Sequence, residues 1–133
     1  MKLATLVVWL ASSFFVGYGT ACALLPSDMF RWVTDGELSG SSSIADFRAT
    51  YGGMTIAVGM FIYYLAYLGH VSHSLHLVVV VLLCMAATRS LGLMIDGQVN
   101  VLMYVYLGLE ICGAGLAAWA GGPVSSSDRS VAQ

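Results

Sequence analysis

Charge is what this chain has least of. Only 9% of its 133 residues are Asp, Glu, Lys or Arg, where a soluble domain carries about 25%. Lysine occurs once, as Lys2, and proline twice, as Pro26 and Pro123. So few basic residues, with a formal net charge of −2, exclude a nucleic-acid partner, which needs a basic face. They also exclude a polybasic lipid-binding patch. Cys22, Cys84 and Cys112 lie within or at the edge of apolar segments, at no metal-ligand spacing. They read as small hydrophobes, not as a disulfide framework. His70, His73 and His76 recur every third residue around a turn, a spacing that spreads side chains around a helix. They read as interface histidines, and neither metal nor cofactor is expected. No Ser-His-Asp, zinc or dinucleotide pattern is present, and Gly52-Gly53 and Gly113-Ala114-Gly115 follow no strand, so they read as packing positions.

What the chain has instead is apolar side chain, 59% of all residues. A soluble fold of this length would have to expose much of it, whereas a bilayer solvates it. Four apolar segments, at about 3–25, 44–68, 75–95 and 99–119, each approach the roughly 20 residues needed to cross a 30 Å hydrocarbon core. Lipid offers no partner for backbone N–H and C=O groups, so each segment must be helical. The connections at 69–74 and around Asp96-Gly97 are short, which makes the last three helices antiparallel neighbours. The expected fold is an all-α membrane protein, an up-down-up-down bundle of four transmembrane helices. It occupies residues 1–122, with a polar, disordered tail at 123–133.

The first segment also imitates a secretory signal, with Lys2 ahead of it and Ala21-Cys22-Ala23 near its end. Its apolar run exceeds the 7–15 residues of a signal core, so a retained span is expected. Lys2 and Arg129 flank one side of the membrane against Arg31 on the other, which favours both termini in the cytoplasm. Met29 to Val33 has the composition of an interfacial stretch, with Trp32 at headgroup depth. Trp9 and Trp119 suit the opposite face.

Against this background three ionisable side chains stand out, Arg48, Arg89 and Glu110, each inside an apolar segment. A charge in hydrocarbon costs at least about 2.5–3.5 kcal/mol, so it normally faces the protein interior and marks a working site. Rise per residue gives the depths: Arg48 about 6 Å from Ile44, Arg89 about 9 Å from Ile95, Tyr104 about 7–8 Å and Glu110 about 16 Å from Val99. Helical spacing puts Arg48, Gly52, Thr55 and Gly59 on one face, Met85, Arg89, Gly92 and Asp96 on another, and Tyr106, Glu110 and Gly113 on a third. The first helix adds Gly17, Tyr18, Gly19 and Thr20 at comparable depth. The expected site is a buried cluster of Arg48, Arg89 and Glu110. Tyr51, Tyr104 and Tyr106 are its hydrogen-bonding neighbours, with Asp46 and Asp96 at its mouth. The alternative is an Arg89–Glu110 pair that only fixes helix register, with Arg48 paired to Asp46 or Asp96.

The block Arg48-Ala49-Thr50-Tyr51-Gly52-Gly53, then Arg89-Ser90-Leu91-Gly92-Leu93-Met94-Ile95-Asp96-Gly97, then a span carrying Glu110, resembles a family of small bacterial four-helix integral membrane proteins. That family is known only as a domain of unknown function. The resemblance covers about residues 5–120 and implies the four-span topology. It marks Arg48, Tyr51, Gly52, Gly53, Arg89, Asp96, Gly97 and Glu110 as pattern positions, and it implies no activity. A looser similarity of layout to DoxX-type membrane proteins implies quinone or lipid handling.

The expected function is therefore a bacterial inner-membrane protein, non-enzymatic, that binds an anionic lipid or small amphiphile through Arg48, Tyr51, Arg89, Asp96, Tyr104, Tyr106 and Glu110. Two other classes stay open. One is an accessory subunit that docks on a larger membrane complex or forms a homo-oligomer. The other is an intramembrane enzyme in which Glu110 acts as acid or base.

Overall fold

The structure, a computed structural model, describes residues 3–97 and 99–131, with side chains described as far as residue 122. Among the described residues six α-helices follow one another: α1 (Leu3–Leu24), α2 (Pro26–Thr34), α3 (Ser41–Phe47), α4 (Met54–Tyr67), α5 (Val71–Ile95) and α6 (Val101–Val131). A π-helical segment, Arg48–Gly53, joins α3 to α4 without a break. Four helical stretches are long and apolar enough to cross a membrane: Leu3–Leu24, Ser41–Tyr67, Val71–Ile95 and Val101–Gly122. No strand occurs among the described residues. The tail expected at 123–133 falls on residues whose side chains lie outside the described set, as do Lys2 and Arg129, on which the expected orientation rests.

Local chemistry sets the boundaries. Pro26, which lacks an N–H, opens α2 at a position where the donor has no intrahelical partner. Asp35 closes α2 in the left-handed region, φ 57°, and its backbone N–H donates to the Arg31 carbonyl at 2.9 Å. Aspartate is among the few residues that tolerate that conformation. Gly69 and Gly97, at φ 85° and 81°, end α4 and α5, where a Cβ would be strained. The third spanning stretch, α5, begins at Val71, so the connection before it is shorter than the 69–74 expected from composition. In the π segment the Met54 N–H donates to the Ala49 carbonyl, five residues back. The wider turn carries Gly52 and Gly53, which lack the side chains that would crowd it.

The α1–α4 seam is backbone against backbone. A Cβ on Gly19 would lie 2.8 Å from the Gly52 carbonyl oxygen and from the Ile56 nitrogen, and one on Gly59 would lie 2.9 Å from the Val16 nitrogen. One on Gly52 would meet Ala23 at 2.8 Å. Ser12 Oγ donates to the Gly59 carbonyl at 2.9 Å. In lipid, where apolar surfaces gain nothing by hiding from tails, such small-residue contact is what holds helices together. Ser74 Oγ ties α5 to the Ile62 carbonyl of α4 at 3.1 Å, and Gly113 of α6 packs under Leu82 of α5.

Packing is uneven along the bundle. The apolar core, built on Val8, Phe15, Ile62, Leu75, Val78 and Ala117, gathers toward the α4–α5 turn. The other half, where α2, the π segment and the α5–α6 turn lie, contains Asp28, Arg31, Asp35, Arg48, Arg89 and Asp96. Large apolar side chains such as Leu10, Phe14, Met60, Met94 and Leu109 are exposed, as expected of a surface that meets acyl chains.

Candidate functional site

Glu110 projects from α6 into the bundle and is only 5% exposed. Arg89 of α5 reaches it with two edges. Its Nε donates to Oε1 at 3.0 Å and Oε2 at 3.1 Å, and its Nη2 donates to Oε1 at 2.7 Å. This is the forked geometry in which arginine matches a carboxylate better than lysine can. The third nitrogen, Nη1, has a poorer partner: it donates to the Met103 thioether sulfur at 3.2 Å. The Tyr106 ring covers the guanidinium, with Cζ 5.3 Å from the ring centroid. Met103, Tyr106 and Glu110 thus all serve one arginine. Their spacing of three and four along α6 makes that possible, because such positions share a helix face.

Removing charge from water is expensive, and a buried pair offsets that cost only with good geometry and satisfied hydrogen bonds. Both conditions hold here. Among the described residues this is the one salt bridge, and no buried side-chain nitrogen or oxygen lacks a partner. Tyr18 and Cys22 lie four residues apart on one face of α1. Cys22 is fully buried.

The remaining expected residues do not join this pair. Arg48 is exposed on the π segment and makes no side-chain hydrogen bond or ion pair among the described residues. That corrects both the three-member cluster and the local pairing with Asp46 or Asp96. The physical reason is angular: rise per residue gives depth in the bilayer, not direction, and the π turn changes direction just where Arg48 leaves the helix. Tyr51 is exposed and stacks on Phe47, with centroids 4.7 Å apart, and Phe47 in turn meets Phe30 of α2 edge-on at 5.5 Å. That aromatic column fastens α2 to the π segment. Tyr104, two residues from Tyr106 and therefore on another face, is exposed. Asp96 is exposed at the end of α5, with Oδ2 lying over Gly92. His70 and His73 meet edge-on at 5.6 Å, while His76 Nδ1 lies 2.7 Å from the Ser72 carbonyl oxygen. No three of the described His, Cys, Asp and Glu residues converge as a metal site.

One cavity adjoins the pair. A cleft of about 440 Å³, open on one side, lies between the end of α2 and the start of α6, lined by Thr34, Asp35, Val99, Asn100 and Met103. Asn100 caps α6: its Oδ1 accepts the Leu102 N–H at 3.1 Å. Met103 therefore stands with its sulfur on Arg89 and its side chain in the cleft wall. Sequence reasoning missed it, although its position three residues before Tyr106 and seven before Glu110 was visible.

Residues 3–121 match a family described as a domain of unknown function (DUF4345). The chain belongs to that family. The match covers all four spanning helices as far as Gly121, and with them Arg89, Met103, Tyr106, Glu110 and every residue of the cleft. No curated protein and no solved structure matches the chain. The family description carries no activity, so the chemistry of the site has to supply the reading.

Proposed function

We propose that this is a non-enzymatic, multi-pass protein of the bacterial inner membrane that holds a phosphate-bearing lipid or small amphiphile in the cleft beside Arg89. In this reading the four spans run up, down, up and down, with both termini in the cytoplasm. The order of contacts supports the alternation of directions within the first and last pairs of spans. Ser12 meets Gly59 while Gly19 meets Gly52, and Arg89 meets Glu110 while Leu82 meets Gly113, so the numbering runs in opposite directions in both pairs.

The observation that carries the proposal is the Nη1 edge of Arg89. Two of its three nitrogens are committed to Glu110, and the third donates to a thioether, a weak acceptor. A phosphate oxygen entering over Met103 is a far stronger acceptor for a guanidinium. The pair fixes the arginine in place, and the cleft admits the ligand. Glu110 turns both oxygens toward Arg89, which favours a holding role over acid–base chemistry.

Native mass spectrometry of the full chain, released from nanodiscs containing phosphatidylglycerol and diacylglycerol, tests this. The wild type should retain the phospholipid over its phosphate-free counterpart by about tenfold, the worth of one charge-assisted hydrogen bond. Met103→Phe, which sets a rigid ring in place of the thioether between the cleft and the Nη1 edge, should abolish the preference while leaving the thermal midpoint within a few degrees. Equal retention of the two lipids by the wild type would defeat the proposal.

A further inference from the structure

The cleft is electrically two-ended. At its inner end stands Met103, with Arg89 behind it. At its outer end stands Asp35, whose carboxylate makes no hydrogen bond or ion pair among the described residues. Between them Val99 gives an apolar wall, and Asn100 offers an amide whose Oδ1 already accepts one backbone N–H and has a second lone pair. Thr34 also lines the outer end, but its hydroxyl is occupied: it donates to the Phe30 carbonyl at 2.8 Å and accepts the Gly36 N–H at 3.2 Å. Asp35 is held by its backbone, in the left-handed conformation that ends α2. Its backbone position is thereby fixed, while its exposed carboxylate is open to a donor from the cleft.

A ligand with phosphate alone would leave the Asp35 carboxylate at this rim without a partner. A ligand with a phosphate and a primary ammonium a few bonds apart satisfies both ends at once. From this arrangement we infer that the cleft selects an amine-bearing phospholipid headgroup of the phosphoethanolamine type. The phosphate faces Arg89 past Met103, and the ammonium donates to Asp35 and Asn100. The inference rests on the reading above for the phosphate and adds the amine. A trimethylated headgroup carries the same charge but no N–H, so it loses the hydrogen bonds while keeping the attraction. That difference gives the site a means of discriminating between two zwitterions of equal charge.

The test uses the full chain in nanodiscs containing equal parts phosphatidylethanolamine, phosphatidylcholine, phosphatidylglycerol and diacylglycerol, with bound lipid read by native mass spectrometry. The wild type should retain phosphatidylethanolamine over phosphatidylcholine by about tenfold, as expected for a hydrogen bond to a charged group. Asp35→Asn is the informative variant, because asparagine also tolerates the left-handed conformation and so preserves the end of α2. It should bring that ratio close to one while phospholipid is still retained over diacylglycerol. An unchanged ratio in Asp35→Asn, or a wild type that prefers phosphatidylglycerol, would overturn the amine inference and leave the phosphate reading standing. Loss of discrimination against diacylglycerol would remove the phosphate reading itself. Retention of soluble phosphoethanolamine by a protein that retains no phosphatidylethanolamine would identify a free headgroup, not a lipid, as occupant, and would overturn the assignment to a phospholipid.

Discussion

Arg89 and Glu110 face each other across α5 and α6, with Nη2 2.7 Å from Oε1 and Nε shared between both carboxylate oxygens. They are the polar counterpart of the apolar core at the opposite end of the bundle. That core holds the half near the α4–α5 turn, and the ion pair holds the half near the α5–α6 turn. Each half has its own means of keeping helices together.

Breaking the pair on one side should be far worse than removing it. Glu110→Ala or Arg89→Ala leaves a buried charge alone and is expected to cost about 3–5 kcal/mol. The double replacement Arg89→Met/Glu110→Leu should recover most of that loss, because well-packed apolar residues often replace a buried pair without penalty. Reversible unfolding in mixed micelles measures all three. Single variants within about 1 kcal/mol of wild type would show that the pair is solvated and not structural.

The α1–α4 seam makes a separate prediction about volume. At Gly59 an added Cβ meets backbone of α1, which has no flexible end to swing aside. Gly59→Ala should therefore cost about 1–3 kcal/mol, in the range of overpacked cores. Gly115→Ala, with nothing within 4 Å, should be neutral or slightly stabilising, since alanine is the better helix former. The same unfolding assay separates them, and equal effects at the two glycines would mean that the seam is looser than described.

The π segment can be tested by shortening it. Deleting Thr50 should let Ser41–Tyr67 form a regular α-helix with α3 kept in direction, because five α residues at about 100° each sweep roughly the angle of the six in the wider turn. Phe47→Ala in the same background leaves the Gly52 and Gly59 contacts in place and removes the ring that meets Phe30. Amides of α2 should then exchange with solvent faster, consistent with the loss of an aromatic pair worth about 0.5–1.5 kcal/mol. Unchanged exchange over residues 27–34 would show that α2 is anchored elsewhere.

Topology has a direct readout. In a background with Cys22, Cys84 and Cys112 replaced by alanine, single cysteines at Glu37 and Asp96 should be labelled by an impermeant reagent from one side of the membrane. A cysteine at His73 should be labelled from the other. Labelling of Glu37→Cys and Asp96→Cys from opposite sides would break the proposed up-down order.

Much of this protein is legible before any coordinates. So little charge and so much apolar surface leave lipid as the solvent, and lipid leaves helix as the backbone's only way to satisfy itself. The four spans, the turn at Gly97 and the pair of opposite charges on the third and fourth of them follow from that. What the sequence does not contain is azimuth. Arg48 and Arg89 lie at similar calculated depth, yet one is exposed on a π turn and the other is locked to Glu110, because a local change of helical winding alters direction without altering height. Met103 has no charge to draw attention, and it matters only because folding sets its sulfur on Arg89 and its flank in a cleft. Asp35 reads as a loop acid until α2 is laid against the start of α6. Solvent and secondary structure follow from short-range composition, whereas the meeting of Asp35, Met103 and Arg89 depends on how separate helices rotate and dock. That is decided by tertiary packing.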